Sequence, residues 1–244
     1  MNLFTINPGG GRVCFSRGNL QATYDGSAWS WAFAANPWDC VGNAAANTCI
    51  DGKGTVRGRG TVDLFGWSTQ ASCYGVDNSG NGEAYLGDFV DWGDKIGVGW
   101  RTLSKDEWYY LFHSRVTASG VRYAKATVNG RAGYILLPDD WRTGYYTLAS
   151  TDEVYAEFAN NSIDAASWAS SLESHGAVFL PAAGRRNENA VAHVGTCGRY
   201  WSSTRHESEP TAAYCVGFED VKLGVGNTSF RFNGYSVRLV KDAE

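Results

Sequence analysis

The sequence predicts an α+β domain with two main helices, short antiparallel strands and long irregular loops. Three observations predict it. Helix punctuation occurs at two places in 244 residues, an Asn-Gly pair separates two extended runs, and the last third reads as short strands divided by polar loops. Helices do not alternate with strands, which disfavours a parallel α/β arrangement. No low-complexity linker or repeat of solenoid period divides the chain, so residues 1–244 are read as one domain.

The elements follow in order. Val13 and Phe15 alternate with polar neighbours, as do Trp29, Trp31 and Phe33, the two-residue period of half-buried strands. Val62, Leu64 and Phe65 suggest a further extended segment, and Ser68 to Gly87 reads as a long surface loop. Ser104 and Glu107 have capping-box spacing ahead of Trp108, Leu111 and Phe112, with Arg115 placed for the last carbonyls of a first helix. Val121–Val128 and Gly133–Leu137 flank Asn129-Gly130, a strong hairpin signal because both turn positions need positive φ. A second helix is expected from Ile163 to His175, capped by Asn161 or Ser162, with Trp168 and Leu172 inward and Gly176 at its end. Later strands are expected at Ala177–Leu180, Tyr200–Ser203, Ala213–Phe218 and Tyr235–Val240.

Composition narrows function. A hydrophobic fraction of 43 % with 10 Trp, 13 Tyr and 11 Phe is ample for a core and argues against disorder. A formal charge of −4 lacks the basic footprint of a nucleic-acid partner. No apolar run approaches the ~18 residues of a membrane span, so no membrane insertion is expected. Met1 to Gly11 shows no basic start followed by an apolar stretch, so no signal peptide is visible. Cys14, Cys40, Cys49, Cys73, Cys197 and Cys215 include no C-x-x-C pair. A bridge among Cys40, Cys49 and Cys73 and a set of buried reduced thiols both stay open.

Catalytic signatures are sparse. The sequence contains no G-x-S-x-G, no P-loop and no G-x-G-x-x-G. His206-Glu207 starts like a zinc-protease motif, but Pro210 would break the helix that motif needs. Asp139, Asp140, Glu153 and Glu157 are loosely clustered carboxylates, and Asp139-Asp140 after Pro138 reads more readily as a turn. Asp77, Ser79, Asn81, Gly82 and Asp88 fall at the spacing of a calcium loop with weak ligand types and no flanking helices, so a solvated Asn/Gly loop is the leading reading there. Asn160 and Asn227 begin N-x-[ST] triplets of little weight. No cofactor is implied.

Several runs resemble a known family. They are Trp100-Arg-Thr-Leu-Ser-Lys-Asp-Glu-Trp108, Gly133-Tyr-Ile-Leu-Leu-Pro-Asp-Asp-Trp141, Ala177-Val-Phe-Leu-Pro-Ala-Ala-Gly184, Gly198-Arg-Tyr-Trp-Ser-Ser-Thr204 and Gly234-Tyr-Ser-Val-Arg-Leu-Val240. Val13-Cys-Phe-Ser-Arg-Gly-Asn-Leu-Gln21 and Asp63-Leu-Phe-Gly-Trp67 extend the likeness to nearly the whole chain. They resemble C-type-lectin-fold proteins of gut bacteria and their phages, a fold shared with formylglycine-generating enzymes. Within that family, the C-terminal part resembles the variable proteins of diversity-generating retroelements.

The resemblance implies a non-enzymatic protein that binds a protein or glycan receptor on a target surface, from a phage virion or bacterial cell surface. Residues 185–233 would form the variable, ligand-binding segment. Its fixed scaffold would comprise Tyr200, Trp201, Ser202, Ser203, Tyr214, Val216, Phe218, Leu223, Arg231, Gly234 and Val237. The outward, variable positions would be Arg199, Arg205, His206, Glu207, Cys215, Gly217, Glu219, Lys222, Asn227 and Phe232. Alternation from Tyr214 to Glu219 agrees, since one strand face would pack and the other stay free.

Departures leave alternatives. Adenine-directed change of asparagine codons does not produce Glu207, Glu219 or Lys222, so either the template codons differ or the chain is an invariant adhesin or assembly subunit. The E-P-N and W-N-D motifs of calcium-dependent sugar lectins are missing; Glu209-Pro210-Thr211 is the nearest run. A formylglycine-generating-like enzyme is a further alternative, but its cysteine pair has no convincing counterpart here.

Overall fold

A computed structural model describes residues 3–43, 47, 59–76, 85–151, 155–188, 190–219 and 222–243. Strands account for 38 % of it and helical residues for 14 %, in several small sheets with two short α-helices. The fold is therefore sheet-dominated, and the expected α+β arrangement with two main helices is corrected.

Both helices begin where a cap permits and then change geometry. Ser104 accepts from the Glu107 amide at 3.2 Å and Glu107 accepts from the Ser104 amide at 2.7 Å, so the capping box forms. Yet α1 covers only Lys105–Tyr109, and Tyr110–Ser114 widens into a π-helical turn. The wider turn lets two consecutive residues, Leu111 and Phe112, both face the core. In the second segment Asp164, rather than Asn161 or Ser162, is the cap and accepts from the Ser167 amide. Here α2 is Ala165–Ser167, followed by a π turn at Trp168–Leu172 and a 3₁₀ turn at Glu173–His175 that Gly176 ends at φ 85°. Runs this short do not hold in water alone; buried Trp108, Trp168 and Leu172 fix them to the sheets.

Sixteen strands occur among the described residues, numbered here in chain order. β1 (Phe4–Thr5), β2 (Arg12–Phe15), β16 (Leu239–Asp242) and β6 (Trp100–Thr102) form an antiparallel sheet in that order. Val240 lies opposite both Phe15 and Arg101, so residues distant in sequence close this sheet. A second sheet has the order β10 (Val178–Pro181), β8 (Arg131–Leu136), β7 (Tyr123–Val128), β9 (Ser162–Ile163). Its expected hairpin forms, with Asn129 at φ 47° and Gly130 at φ 78°. β4 (Trp29–Phe33), β3 (Leu20–Tyr24) and β5 (Gly60–Val62) make a third sheet, and β11 (Arg185–Asn187) pairs with β12 (Ala190–Ala192). The fourth sheet carries the candidate site: β13 (Gly198–Arg205), β14 (Ala212–Glu219) and β15 (Lys222–Phe230).

Apolar clusters cover both faces of β14. Val216 and Phe218 join a cluster with Trp108, Phe112, Tyr134 and Tyr200, whereas Ala213 and Cys215 join one with Trp67, Trp92, Trp201 and Tyr235. A third cluster, with Trp141 and Trp168, lies with the second sheet. Buried arginines tie the loops between these layers. Arg238 donates to Asn19 Oδ1 and to the carbonyls of Ser16, Arg17 and Phe179 at 2.7–3.0 Å. Arg231 reaches the carbonyls of Ala212, Tyr85 and Gly87 and lies 4.3 Å from the Trp67 ring centre. Charged donors bonded to carbonyls contribute more than neutral pairs, about 1.5–3 kcal/mol each.

Candidate functional site

The β13–β14–β15 sheet places eight of the ten expected variable positions along two hollows rather than on one open face, and Cys215 and Phe232 line neither. Gly217 pairs with Arg199 on one side and Gly224 on the other, while Cys215 pairs with Trp201 and Asn227. Between Asn227 and Val225 the register slips by one residue, leaving Gly226 at φ 92° as a glycine bulge in β15.

Arg199, Gly217, Glu219, Lys222 and Asn227 line the first hollow, of about 460 Å³, together with Phe218, Gly224 and Thr228. Arg199 pairs with Glu219 at 2.8 Å. Arg205, His206 and Glu207 line the second, of about 480 Å³, with Leu86, Gly87, Asp88, Ser208, Pro210 and Arg231. Arg199 and Arg205 lie at opposite ends of β13, roughly 20 Å apart at strand rise.

At the second hollow, Glu207 takes hydrogen bonds from the Tyr214 hydroxyl and from Lys105 Nζ at 3.2 Å. These bonds, the Tyr214 hydroxyl foremost, hold its carboxyl down at about 2. The Lys105 ammonium also sits 4.2 Å from the Tyr214 ring centre. His206 Nδ1 accepts from the amides of Ser208 and Glu209, which places the ring proton on Nε2. Burial and the neighbouring Arg205 lower the Arg231 guanidinium, with Asp88 opposing them. Phe232 stacks on Phe230 with ring centres 5.4 Å apart, and Phe230 and Leu86 are both about half exposed.

No protein-family model, curated protein or solved structure matches the chain. The site is therefore read from its own geometry.

Two expected placements are corrected. Cys215, assigned outward, is 2 % exposed because both faces of β14 are covered. Tyr214, assigned to the inward scaffold, is only partly buried, with its hydroxyl bonded to Glu207 and its ring against the Lys105 ammonium. Gly217 is buried beneath the Arg199 guanidinium, which an added Cβ would strike. Sequence reasoning missed Lys105, Leu86 and Phe230. Lys105 sits inside a fixed-looking motif about a hundred residues from Glu207, and only the packing of α1 on this sheet brings them together.

Other candidates resolve simply. Asp77, Ser79, Asn81 and Gly82 lie outside the described residues, while Asp88 lines the second hollow. Among the described residues no group of three or more His, Cys, Asp or Glu side chains is placed to hold a metal ion. Asp139 is structural, accepting from Thr5 and Arg115. Glu209 accepts from its neighbour Thr211, and Glu153 lies outside the described residues. Cys14, Cys40, Cys197 and Cys215 are free thiols, and Cys49 lies outside the described residues. Burial pushes Cys40 up to about 11 and Cys215 to about 12, and raises Cys197, the opposite of what a nucleophilic thiolate needs. No helix among the described residues is long and apolar enough to cross a membrane.

Proposed function

We propose that the chain is a non-enzymatic binding protein that presents side chains of residues 185–233 from a sheet scaffold to a receptor on a target surface. Variable proteins of diversity-generating retroelements work in this way, displayed on a virion or bacterial cell surface. One observation carries the reading: five of the singled-out positions line one hollow and three line another, above strands held by buried Trp201, Val216 and Phe218. Arg205 with the Phe230–Phe232 stack supplies the residue types that concentrate binding energy, and Ser208, His206 and Glu207 supply adaptable polar contacts.

Simultaneous alanine replacement of Arg205, His206 and Phe232 is expected to abolish receptor capture. Thermal unfolding should stay within about 4 °C, since the lost turn bonds cost about 1 kcal/mol. Retained capture, with or without lost stability, would sink the placement.

One observation favours a second reading, an invariant adhesin of the same kind. Cys215 packs in the core and Gly217 makes room for Arg199, so side chains at these positions cannot vary freely. A nearby reverse-transcriptase gene with a near-copy repeat of the coding segment decides for diversification; neither being present decides for the invariant form.

A further inference from the structure

The hollow at Arg199 exists because side chains are missing from one row of the sheet. Gly217 and Gly224 are register partners on adjacent strands, and Arg199 continues the row on β13. A Cβ at Gly217 would strike the Arg199 guanidinium, and one at Gly224 would strike the Asn227 amide. Both polar groups therefore lie flat across bare backbone, as the floor and wall of a recess of about 460 Å³, a size that suits a small ligand.

Its donors are not used up. Arg199 spends Nη2 on Glu219 and its side chain also meets the Cys197 thiol, which leaves Nη1, above Gly217, for a ligand. Among the described residues Lys222, which is exposed, makes no ion pair. Among the described lining residues, Arg199 and Lys222 against Glu219 leave one net positive charge inside a chain of charge −4. A planar guanidinium beside an ammonium is the pairing that recognises a carboxylate.

The rest of the lining narrows the ligand further. Glu219 accepts only, Asn227 and Thr228 both donate and accept, and Phe218 is turned into the core. A glutamate or aspartate side chain would bring nothing for Glu219 to accept, whereas a ring bearing hydroxyls beside its carboxylate would. We infer that this hollow binds an acidic monosaccharide residue. Its carboxylate lies against Arg199 and Lys222, and its hydroxyls meet Glu219, Asn227 and Thr228. The inference rests on the binding-protein reading and names the ligand class of one of its two hollows.

Calorimetry on the full chain tests it, with D-glucuronate and N-acetylneuraminate as probes and their methyl esters and D-glucose as neutral comparisons. At least one acid should bind, and its ester should bind at least tenfold more weakly. Arg199→Gln and Lys222→Gln should each cost about tenfold, near 1.4 kcal/mol, with thermal unfolding unchanged for the exposed Lys222 variant. Arg142→Ala, an exposed charge elsewhere, should leave binding as it was. Equal binding of acid and ester, binding indifferent to both variants, no binding of either acid, or preference for poly-L-glutamate would each overturn it. If the acids fail while the Arg205, His206 and Phe232 variant still loses receptor capture, the acidic-sugar inference falls alone. If that variant keeps capture, the binding-protein reading falls.

Discussion

Arg238 is wholly buried with no carboxylate in ion-pair range among the described residues, and burial lowers it to about 10. It is still a cation at neutral pH, stabilised by three carbonyls and the Asn19 amide oxygen instead of a counter-ion. Arg238→Met should therefore cost about 3 kcal/mol and lower Tm by roughly 6–12 °C, with Arg238→Lys recovering only part. Asp63 behaves oppositely. Burial pushes its carboxyl up to about 6, although Asn47 and the Val41 amide donate to it and pull it down. A folded value above the unfolded one of 3.8 means the folded chain holds the proton more tightly. This group's stabilisation is thus full below pH about 4 and is lost as pH rises through about 6, by up to about 3 kcal/mol. Urea midpoints at pH 4.5 and 7.5 should show wild type losing more stability than Asp63→Asn across that interval; equal losses would refute the assignment.

At the scale of elements, α1 links stability to the site. Ser104→Ala removes the capping box, which should cost about 1 kcal/mol and 2–4 °C of Tm in a melting experiment. It should also loosen Lys105 from Glu207 and Tyr214, read as increased proteolysis near the second hollow. This is also the scale at which the sequence was most and least informative. Asn129-Gly130, Ser104 with Glu107, and Gly176 work through bonds and dihedrals within a few residues, so their turns and ends are readable locally. How long each helix runs is decided by what lies beyond it. Leu111 and Phe112 turn inward together only because aromatic neighbours such as Trp108 and Tyr123 are there to receive them. The alternation along β14 suggested one wet face for the same reason: nothing in Tyr214–Glu219 reveals that Trp201 and Tyr235 cover the other side. Eight of the positions singled out in the sequence line the two hollows, whereas Lys105 comes to them from a distant element.

Across the whole molecule, β16 is the strand on which remote parts converge. It sits between β2 and β6, and the approach to it carries Tyr235, which bridges to Phe65, and Ser236, which bridges to Tyr200. Removing residues from Leu239 onward should therefore do more than fray an end. It should leave β2 and β6 without their shared neighbour and abolish the cooperative urea transition, while trimming only Ala243 and Glu244 should leave it intact.

That arrangement also sets a schedule for synthesis. Phe15 leaves the ribosome about 225 residues ahead of Val240, its partner in the sheet, an interval of roughly 11–45 s at ordinary elongation rates. Until then β2 has only the two-residue β1 beside it, and its free edge is open to neighbouring nascent chains. Slower initiation or lower growth temperature, which spaces ribosomes and weakens apolar association, should raise the soluble yield more than any change to the binding hollows.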